Sequence, residues 1–483
     1  MQEISLSEVV DSLLAENAWW DEGAVEDRYR RLPRRAYFGA FCNLLTQKDL
    51  RRAVVLMGPR RVGKTVLIQH AIQHLLDSGV DQKSILYVSI DTPTYTGLPL
   101  ERFLKLFFER NGIDKIRTSF IFFDEVQYLK DWEVHLKVLV DRYPNTHFVA
   151  SGSAAAALKL ASQESGAGRF TDFMLPPLTF AEYLSFIGRE DELISAEEDE
   201  EHIEYTTQNI KELNNEFINY LNFGGYPEAV FSPSARSNAA RFIKSDIIDK
   251  VLLRDLPSLY GISNIQELNK LFTSVAYNTG NAVSLEKLSQ SSGVSKPTIS
   301  RYLDYLEAAF LIARVRRVDE KCATFARERE FKVYLTNPSM RAALFHPITD
   351  ESDAMGNLAE TAVFSQWFHS DAFNKLYYAR WKRSGRVRGT SENFGEVDMV
   401  FVNSAQSPIW AVEIKWTDRF FYHPDELDGL VDFCKKNIGE ESALATTKTK
   451  SGVKNVSGVI IDHVPCALHC YKVGKNTVRH KSK

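Results

Sequence analysis

The octapeptide Gly58-Pro59-Arg60-Arg61-Val62-Gly63-Lys64-Thr65 has the spacing G-x-x-x-x-G-K-T, and each fixed position answers a need of a bound polyphosphate. Gly58 and Gly63 let the backbone curl so that consecutive N–H groups point at the β-phosphate, and the helix that follows adds partial positive charge at its N-terminus. Lys64 reaches the β- and γ-phosphates, and Thr65 offers its hydroxyl to Mg²⁺. A second acidic position follows in Phe120-Ile121-Phe122-Phe123-Asp124-Glu125, four apolar residues ending in two carboxylates. Asp124 is expected to hold Mg²⁺ through its water shell and Glu125 to polarise the attacking water. His147 to Ala150 then runs into Ser151-Gly152-Ser153, where Ser151 and Ser153 are candidates to read the γ-phosphate from a strand end. ATP and Mg²⁺ are the cofactors this set implies.

A second constellation lies near the C-terminus. In Gly395-Glu396-Val397-Asp398-Met399-Val400-Phe401-Val402, strand alternation predicts Asp398 on one face with Val400 and Val402. In Ile409-Trp410-Ala411-Val412-Glu413-Ile414-Lys415-Trp416, a period of two puts Glu413 and Lys415 on one face and Val412 and Ile414 on the other. An acid followed by E-x-K on neighbouring strands suits a metal-dependent nuclease. Two carboxylates and a backbone carbonyl can hold Mg²⁺ or Mn²⁺, while Lys415 steadies developing charge or orients the water. Glu360 shares its helix face with Val363, Phe364 and Trp367, where a carboxylate is costly without a partner such as the metal. Glu360, Asp398 and Glu413 are therefore the expected ligands. Each element alone is a common surface pattern. Between them, Arg380-Trp381-Lys382-Arg383-Ser384-Gly385-Arg386-Val387-Arg388 gathers five cations and an aromatic ring, a candidate grip on a phosphate backbone.

The elements that must position these groups follow from periodicity. Ala53 to Met57 predicts a buried strand and Val66 to Leu75 a helix, so the glycine-rich loop joins a strand end to a helix start. Ser84 to Ile90 predicts another buried strand, and with those ending at Asp124 and Ala150 it predicts a parallel α/β sheet. The first 50 or so residues predict helices, with Val9, Val10, Leu13 and Leu14 on one stripe. The acidic run 190–204 reads as a solvated hinge or helix face, and 205–276 as helical. Leu285, Leu288 and Val294 flank a turn at Ser291-Ser292-Gly293, after which Ser295 caps a helix striped by Ile299, Tyr302, Leu303 and Leu306. This is helix-turn-helix spacing, and Phe310-Leu311-Ile312 followed by Arg314, Arg316 and Arg317 reads as a wing strand. Lys296, Thr298, Ser300 and Arg301 would face a major groove if the motif binds DNA. A winged helix that only packs between domains fits the same pattern. The resulting layout is N-terminal helices and ATPase core at 1–180, a helical lid at 181–275, a winged helix at 276–330 and a nuclease-like α/β domain at 331–483.

Composition narrows the class. A chain of 483 residues with 44% hydrophobic and 25% charged residues reads as globular and multi-domain. The start, Met1-Gln2-Glu3-Ile4-Ser5, lacks a basic region and an apolar core, and no apolar run reaches membrane-spanning length, so no membrane partner and a cytoplasmic location are expected. Five cysteines without paired C-x-x-C spacing fit a reducing compartment. A net charge of −4 leaves nucleic-acid contact to local patches. His463, Cys466, His469 and Cys470 crowd into one segment with no distant second half-site, so they read as a terminal strand over Ala467–Val473 with a buried cysteine rather than as zinc ligands.

The order of these parts resembles the prokaryotic and archaeal ATPases of the AAA+ superfamily that join a P-loop domain to a winged helix and a C-terminal domain with a PD-(D/E)xK nuclease-like core. The resemblance rests on the GPRRVGKT loop, Phe123-Asp124-Glu125-Val126-Gln127, Ala150-Ser151-Gly152-Ser153, Gly168-Arg169 before Leu178-Thr179-Phe180-Ala181-Glu182, Gly224-Gly225-Tyr226-Pro227-Glu228, the SKPTISRYL helix, Gly356-Asn357-Leu358-Ala359-Glu360, Asp398 and Glu413-x-Lys415. It implies Arg169 as a candidate γ-phosphate arginine. The purpose of such proteins is mostly unassigned, so two classes stay open. One is an ATPase whose nucleotide state gates a nuclease acting on nucleic acid. The other is a nucleotide-dependent switch or scaffold whose nuclease-like domain is inactive and only binds nucleic acid or a protein partner. A homo-oligomer fits either.

Overall fold

The computed structural model describes residues 5–47, 51–112, 117–152, 168–198, 203–324, 330–368, 370–383, 394–438 and 443–482. Two compact units divide the chain, residues 1–176 and 177–480.

In the first unit, β1 (Ala53–Met57), β2 (Ile85–Ser89), β3 (Ser119–Asp124), β4 (Thr146–Gly152) and β5 (Phe170–Met174) form a parallel sheet in the order β2-β3-β4-β1-β5. β1 and β3 are buried throughout, the condition that makes parallel strands read as unbroken apolar runs. Since all five strands run the same way, the residues after β1, β3 and β4 emerge on one edge. That edge collects the glycine-rich loop, Asp124-Glu125 and Ser151-Gly152. β4 lies between β1 and β3, so the loop and Asp124 stand two strands apart. The helix Lys64–Asp77 follows the loop and buries Leu67, Ile68, Ala71, Ile72 and Leu75, a 3.6-residue stripe facing the sheet.

The second unit is built on a nine-stranded mixed sheet of β8 (Ala282–Val283), β9 (Ile312–Val318), β10 (Phe331–Leu335), β11 (Leu376–Lys382), β12 (Phe394–Val402), β13 (Pro408–Glu413), β14 (Ala443–Thr447), β15 (Gly452–Val456) and β16 (Val459–Pro465). Their order is β15-β16-β14-β13-β12-β11-β9-β10-β8. The helix Met355–Trp367 packs with Tyr334, Tyr378, Met399, Val412 and Val464 in one apolar cluster. The helix Asp428–Asn437 packs with Val397, Val400, Val402, Ala411 and Ala445 in another.

Helices Leu285–Ser292 and Lys296–Ala308 are joined by a three-residue turn whose Gly293 has φ of 72°, and Ser295 caps the second helix by accepting from Thr298 N. The two strands that follow, β9 and β10, are not a detached wing. β10 pairs with β9 and β8, and β9 pairs in parallel with β11, so the strand after the expected boundary at 330 belongs to the same sheet as the strand before it.

Two expectations need correction. The acidic run is neither hinge nor long helix face: Glu190–Leu193 is a single helical turn, and β6 (Ser195–Glu198) and β7 (Ile203–Thr206) form an antiparallel pair. Its charges have partners on the C-terminal helix, Lys475 on Glu190 at 2.6 Å and Arg479 on Glu198 at 3.4 Å. Residues 467–473 are helical, within Cys466–Ser482, and the strand of that region is the preceding β16. A stretch of seven residues, mostly apolar but broken by His469 and Lys472, is too short for its period to distinguish a buried strand from a helix.

Candidate functional site: a phosphate loop and a lysine-filled acidic cluster

The loop geometry explains its two glycines. A Cβ on Gly58 would lie 2.1 Å from the Leu175 carbonyl oxygen, and Gly63 has φ of 94° immediately before the helix, a conformation that costs L-residues free energy. Lys64 Nζ donates to the Gly58 and Pro59 carbonyls at 3.0 and 2.8 Å, which holds the ammonium over the loop where phosphate oxygens would lie.

Asp124 is the hub of this edge. It is 1% exposed. Its Oδ2 accepts from Thr65 Oγ1 at 2.7 Å and from the Tyr87 hydroxyl at 2.9 Å, and its Oδ1 accepts from Ser151 Oγ and from Glu125 N at 3.1 Å. Thr65 and Asp124, brought within hydrogen-bond distance by the sheet order, are the residues that would hold Mg²⁺. Glu125 has φ of 55° and ψ of 42°, a left-handed conformation costing of order 1 kcal/mol in a non-glycine residue. Its side chain accepts from Gln127 Nε2. Burial raises the Glu125 carboxyl, Lys64 opposes that rise, and Asp124 adds to it.

Arg169 stands elsewhere. It precedes β5, its carbonyl accepts from Ala53 N at the start of β1, and its guanidinium pairs with Asp141 at 2.8 Å. In a parallel sheet that is the edge opposite the phosphate loop, about five residues or some 16 Å away along the strand. The chain's own loop is out of its reach. Ser153 lies outside the described residues. Tyr87 and Gln127 were missed by sequence reasoning. The hydroxyl of Tyr87 within the otherwise apolar stretch Ile85–Val88 was the available signal.

In the second unit, Glu360, Asp398, Glu413 and Lys415 do come together, and with them an unforeseen residue, Lys332 on β10. Lys332 Nζ lies 2.8 Å from Glu360, 3.1 Å from Glu396 and 3.2 Å from Asp398, and its side chain is 4% exposed. Lys415 Nζ lies 3.1 Å from Asp398 and 2.7 Å from Glu413. The Tyr334 hydroxyl donates to Glu360 at 2.6 Å, and Ile414 N donates to Asp398 at 3.0 Å. Asp398 is not carried as simple alternation predicts. Ala379 pairs with Val397 and Tyr377 with Val400, so residues 398 and 399 together oppose Tyr378 in a β-bulge. A bulge re-aims the side chain it carries. Val397 and Val400 then share one apolar cluster, while Asp398 meets Lys332, Lys415 and the Ile414 amide.

The electrostatics follow from burial and these pairs. Burial alone would raise Asp398, but Lys415, Lys332 and the Ile414 amide outweigh it and hold the carboxyl well below its usual range. For Glu413, burial and the nearby Asp398 prevail over Lys415 and push the carboxyl up to about 7. Glu360 is raised by burial against the pull of Lys332. Both lysines are held protonated, because the carboxylates overcome the burial that would discharge them. Among the described residues no group of three or more His, Cys, Asp or Glu is placed to hold a metal ion. The three carboxylates expected to meet a metal meet two ammonium groups instead, and of their oxygens Glu413 Oε2 is left buried without a hydrogen-bond partner.

The candidate nucleic-acid contacts are scattered in condition. Arg380 stacks on Phe394 with its guanidinium 4.9 Å from the ring centre and lies 3.6 Å from Glu396. Arg383 is bound to Asp428 and lies 3.7 Å from Asp432. Lys382 and Arg301 are exposed, and Lys296 faces Glu286 at 3.5 Å. Arg386 and Arg388 lie outside the described residues. All five cysteines are free and buried. Among the described residues no helix is long and apolar enough to cross a membrane.

Comparison with known proteins agrees with the first unit. Residues 50–184 match the family model of an AAA domain, and residues 214–352 match a model described as a domain of unknown function, DUF8612. An uncharacterized protein of Haemophilus influenzae is 25% identical over 327 residues, 66% of this chain and 75% of that protein. The uncharacterized protein MJ1544 of Methanocaldococcus jannaschii is 24% identical over 286 residues, 58% of this chain and 60% of that one. Among solved structures, the Walker-type ATPase of Pyrococcus abyssi aligns with a TM-score of 0.40 at 15% identity, over 63% of this chain and 94% of its own. The ORC2 protein of Aeropyrum pernix in its ADP form aligns with a TM-score of 0.34 at 15% identity, over 62% and 90%. Residues 50–184 thus match an AAA domain, on the parallel α/β sheet that carries the phosphate loop, and a domain of that kind suggests nucleotide binding and hydrolysis.

Proposed function

We propose that this chain is an ATPase whose nucleotide state governs a nuclease-like site in its second unit that acts on nucleic acid. The observation that carries the ATPase half is the convergence on Asp124. Thr65 from the phosphate loop, Tyr87 from β2 and Ser151 from β4 all bind one carboxylate, so the metal-holding hydroxyl and acid are set before nucleotide arrives. Mg²⁺ supplies charge neutralisation of the phosphates when bound. Lys64 holds the phosphate oxygens, and Glu125, kept aimed by its backbone and Gln127, orients water and takes its proton. A γ-phosphate contact by Arg169 would require the loop of a second copy, since its own lies at the other edge of the sheet.

The nuclease half is supported by Asp398 and Glu413 on the adjoining strands β12 and β13, with Lys415 two residues past the end of β13 and Glu360 beside them. As the groups stand, Lys332 and Lys415 occupy oxygens of all three carboxylates, an arrangement that does not fit a divalent ion. That same observation favours a second reading, a nucleotide-dependent switch or scaffold whose nuclease-like unit binds without cutting. One experiment separates them: purified protein with ATP, Mg²⁺ or Mn²⁺ and single- or double-stranded nucleic acid, wild type beside Asp398→Ala. Cleavage lost in the variant with ATP hydrolysis retained supports the nuclease, and binding without cleavage in either protein supports the switch.

A further inference from the structure

The acidic cluster raises a problem of charge that its own residues answer. Glu360 and Asp398 are at least nine-tenths buried, and three carboxylates on one point cannot all ionise unless cations compensate them. Lys415 sits on the Asp398–Glu413 side. Among the described residues the cation shared by Glu360 and the other oxygen of Asp398 is Lys332, whose ammonium lies within 3.2 Å of an oxygen from each of them. The Lys332 side chain is 4% exposed and its ammonium lies over the Tyr378 ring, 5.4 Å from the centre, so its neighbours hold it in place. A divalent ion bridging the same oxygens would need to lie about 2.1 Å from each, inside the volume the ammonium fills.

We infer that Lys332 is the built-in counter-cation of this cluster and that a divalent ion can enter only in exchange for its ammonium. The inference rests on the reading of the cluster as a nuclease-like site, but it concerns ion occupancy and stands apart from cleavage. Lys332 is a positioning residue: its charge fixes Glu360 and Asp398, and leaving would free both for a metal of the Mg²⁺ or Mn²⁺ class. β10, which carries Lys332, pairs with β9, the strand that follows the helix-turn-helix. A load on β9 therefore reaches the strand that holds the lysine.

The test measures Mn²⁺ bound to the full-length, nucleotide-free chain by electron paramagnetic resonance of the free ion, with folding checked by circular dichroism. Wild type is expected to show no Mn²⁺ dependent on Asp398. Lys332→Met, which keeps the stem and removes the charge, is expected to gain one ion per chain with an affinity at least roughly a hundredfold above wild type, the scale of deleting one unit charge beside a metal. That ion should be lost again in Lys332→Met/Asp398→Asn. Should Lys332→Met fail to fold with its carboxylates uncompensated, Lys332→Met/Glu360→Gln removes one charge of each sign and should still gain the ion, on Asp398 and the side-chain oxygen kept at position 360. Wild type that already binds one Mn²⁺ lost with Asp398→Asn, or a folded Lys332 variant that binds none, overturns the inference. A variant that gains the ion yet cuts no nucleic acid leaves it standing and removes the nuclease reading; cleavage by wild type with no exchangeable ion does the reverse.

Discussion

Asp124→Asn is the sharpest probe of the phosphate edge because the fold should tolerate it. The carboxylate accepts four hydrogen bonds, three from hydroxyls and one from the Glu125 amide. An asparagine can leave its oxygen toward Ser151 and the amide and turn its nitrogen toward Thr65 and Tyr87, whose hydroxyls can reverse from donor to acceptor. What is lost is one unit of negative charge beside the Mg²⁺ position. At about 4 Å and an effective dielectric near 20, that charge is worth roughly 4 kcal/mol against one unit of cation charge. Solvent and the nucleotide's own phosphates recover part of it, so about 2–3 kcal/mol remains, or about 30- to 150-fold. In a steady-state ATPase titration against Mg²⁺, turnover should fall by that factor and half-saturation move to higher Mg²⁺, while nucleotide affinity measured without metal stays as in wild type. The acidic limb of the pH–rate profile should also move to lower pH, because Asp124 is one of the groups raising the Glu125 carboxyl. A Mg²⁺ titration and pH profile superimposable on wild type would refute the assignment.

Glu125→Gln should keep nucleotide binding while cutting turnover at least about a hundredfold, the scale of a lost general base; single-turnover kinetics would expose a wild-type rate and end that role. Tyr87→Phe should destabilise the first unit by about 1.5 kcal/mol in denaturant unfolding, the cost of a hydrogen bond to a charged group, and unchanged stability would remove Tyr87 from the hub. Alanine at Lys296, Arg301 and Lys382 together should weaken nucleic-acid binding and flatten its logarithmic salt slope by about 2–3; an unaltered slope would place the contact elsewhere. Burial lowers the His469 imidazole to about 4, so the unfolded chain takes up a proton first as pH falls. Stability from this group is complete above its usual 6.5 or so and lost toward pH 4, by up to about 3 kcal/mol. His469→Gln should flatten that part of the stability–pH curve, and an identical slope in the variant would show that His469 is protonated in the fold.

The legible parts of this molecule were those where one short segment carries its own constraint. The glycine-rich loop needs only the curl of eight residues and a helix start, and β1 and β3 had to be parallel interior strands because they are apolar on both faces. What escaped was set by pairing between distant segments. The bulge at Asp398 exists because Ala379 meets Val397 while Tyr377 meets Val400, and alternation within β12 alone points the other way. Arg169 could be placed by motif order next to Gly168, yet the direction of β5 puts it at the edge away from the loop. The acidic run is exposed along β6 as its charge suggested, and what escaped was its strand pairing and its partners Lys475 and Arg479, which come from the far end of the chain.

Lys332 shows the limit most directly. Within Phe331-Lys332-Val333-Tyr334-Leu335 a single lysine reads as the solvent-facing position of a strand, since lysine is almost never fully buried without a partner. Its partners lie 28 and 66 residues away at Glu360 and Asp398. The carboxylates alone argue for a cation at that point, and charge balance holds whether the cation is bound from solution or carried by the chain. Only the sheet order, which sets β10 beside β9 and β9 beside β11 and β12, selects the second. The same topology that buries the lysine sets β10 beside β9, the strand that follows the helix-turn-helix, so that motif and the acidic cluster share one sheet.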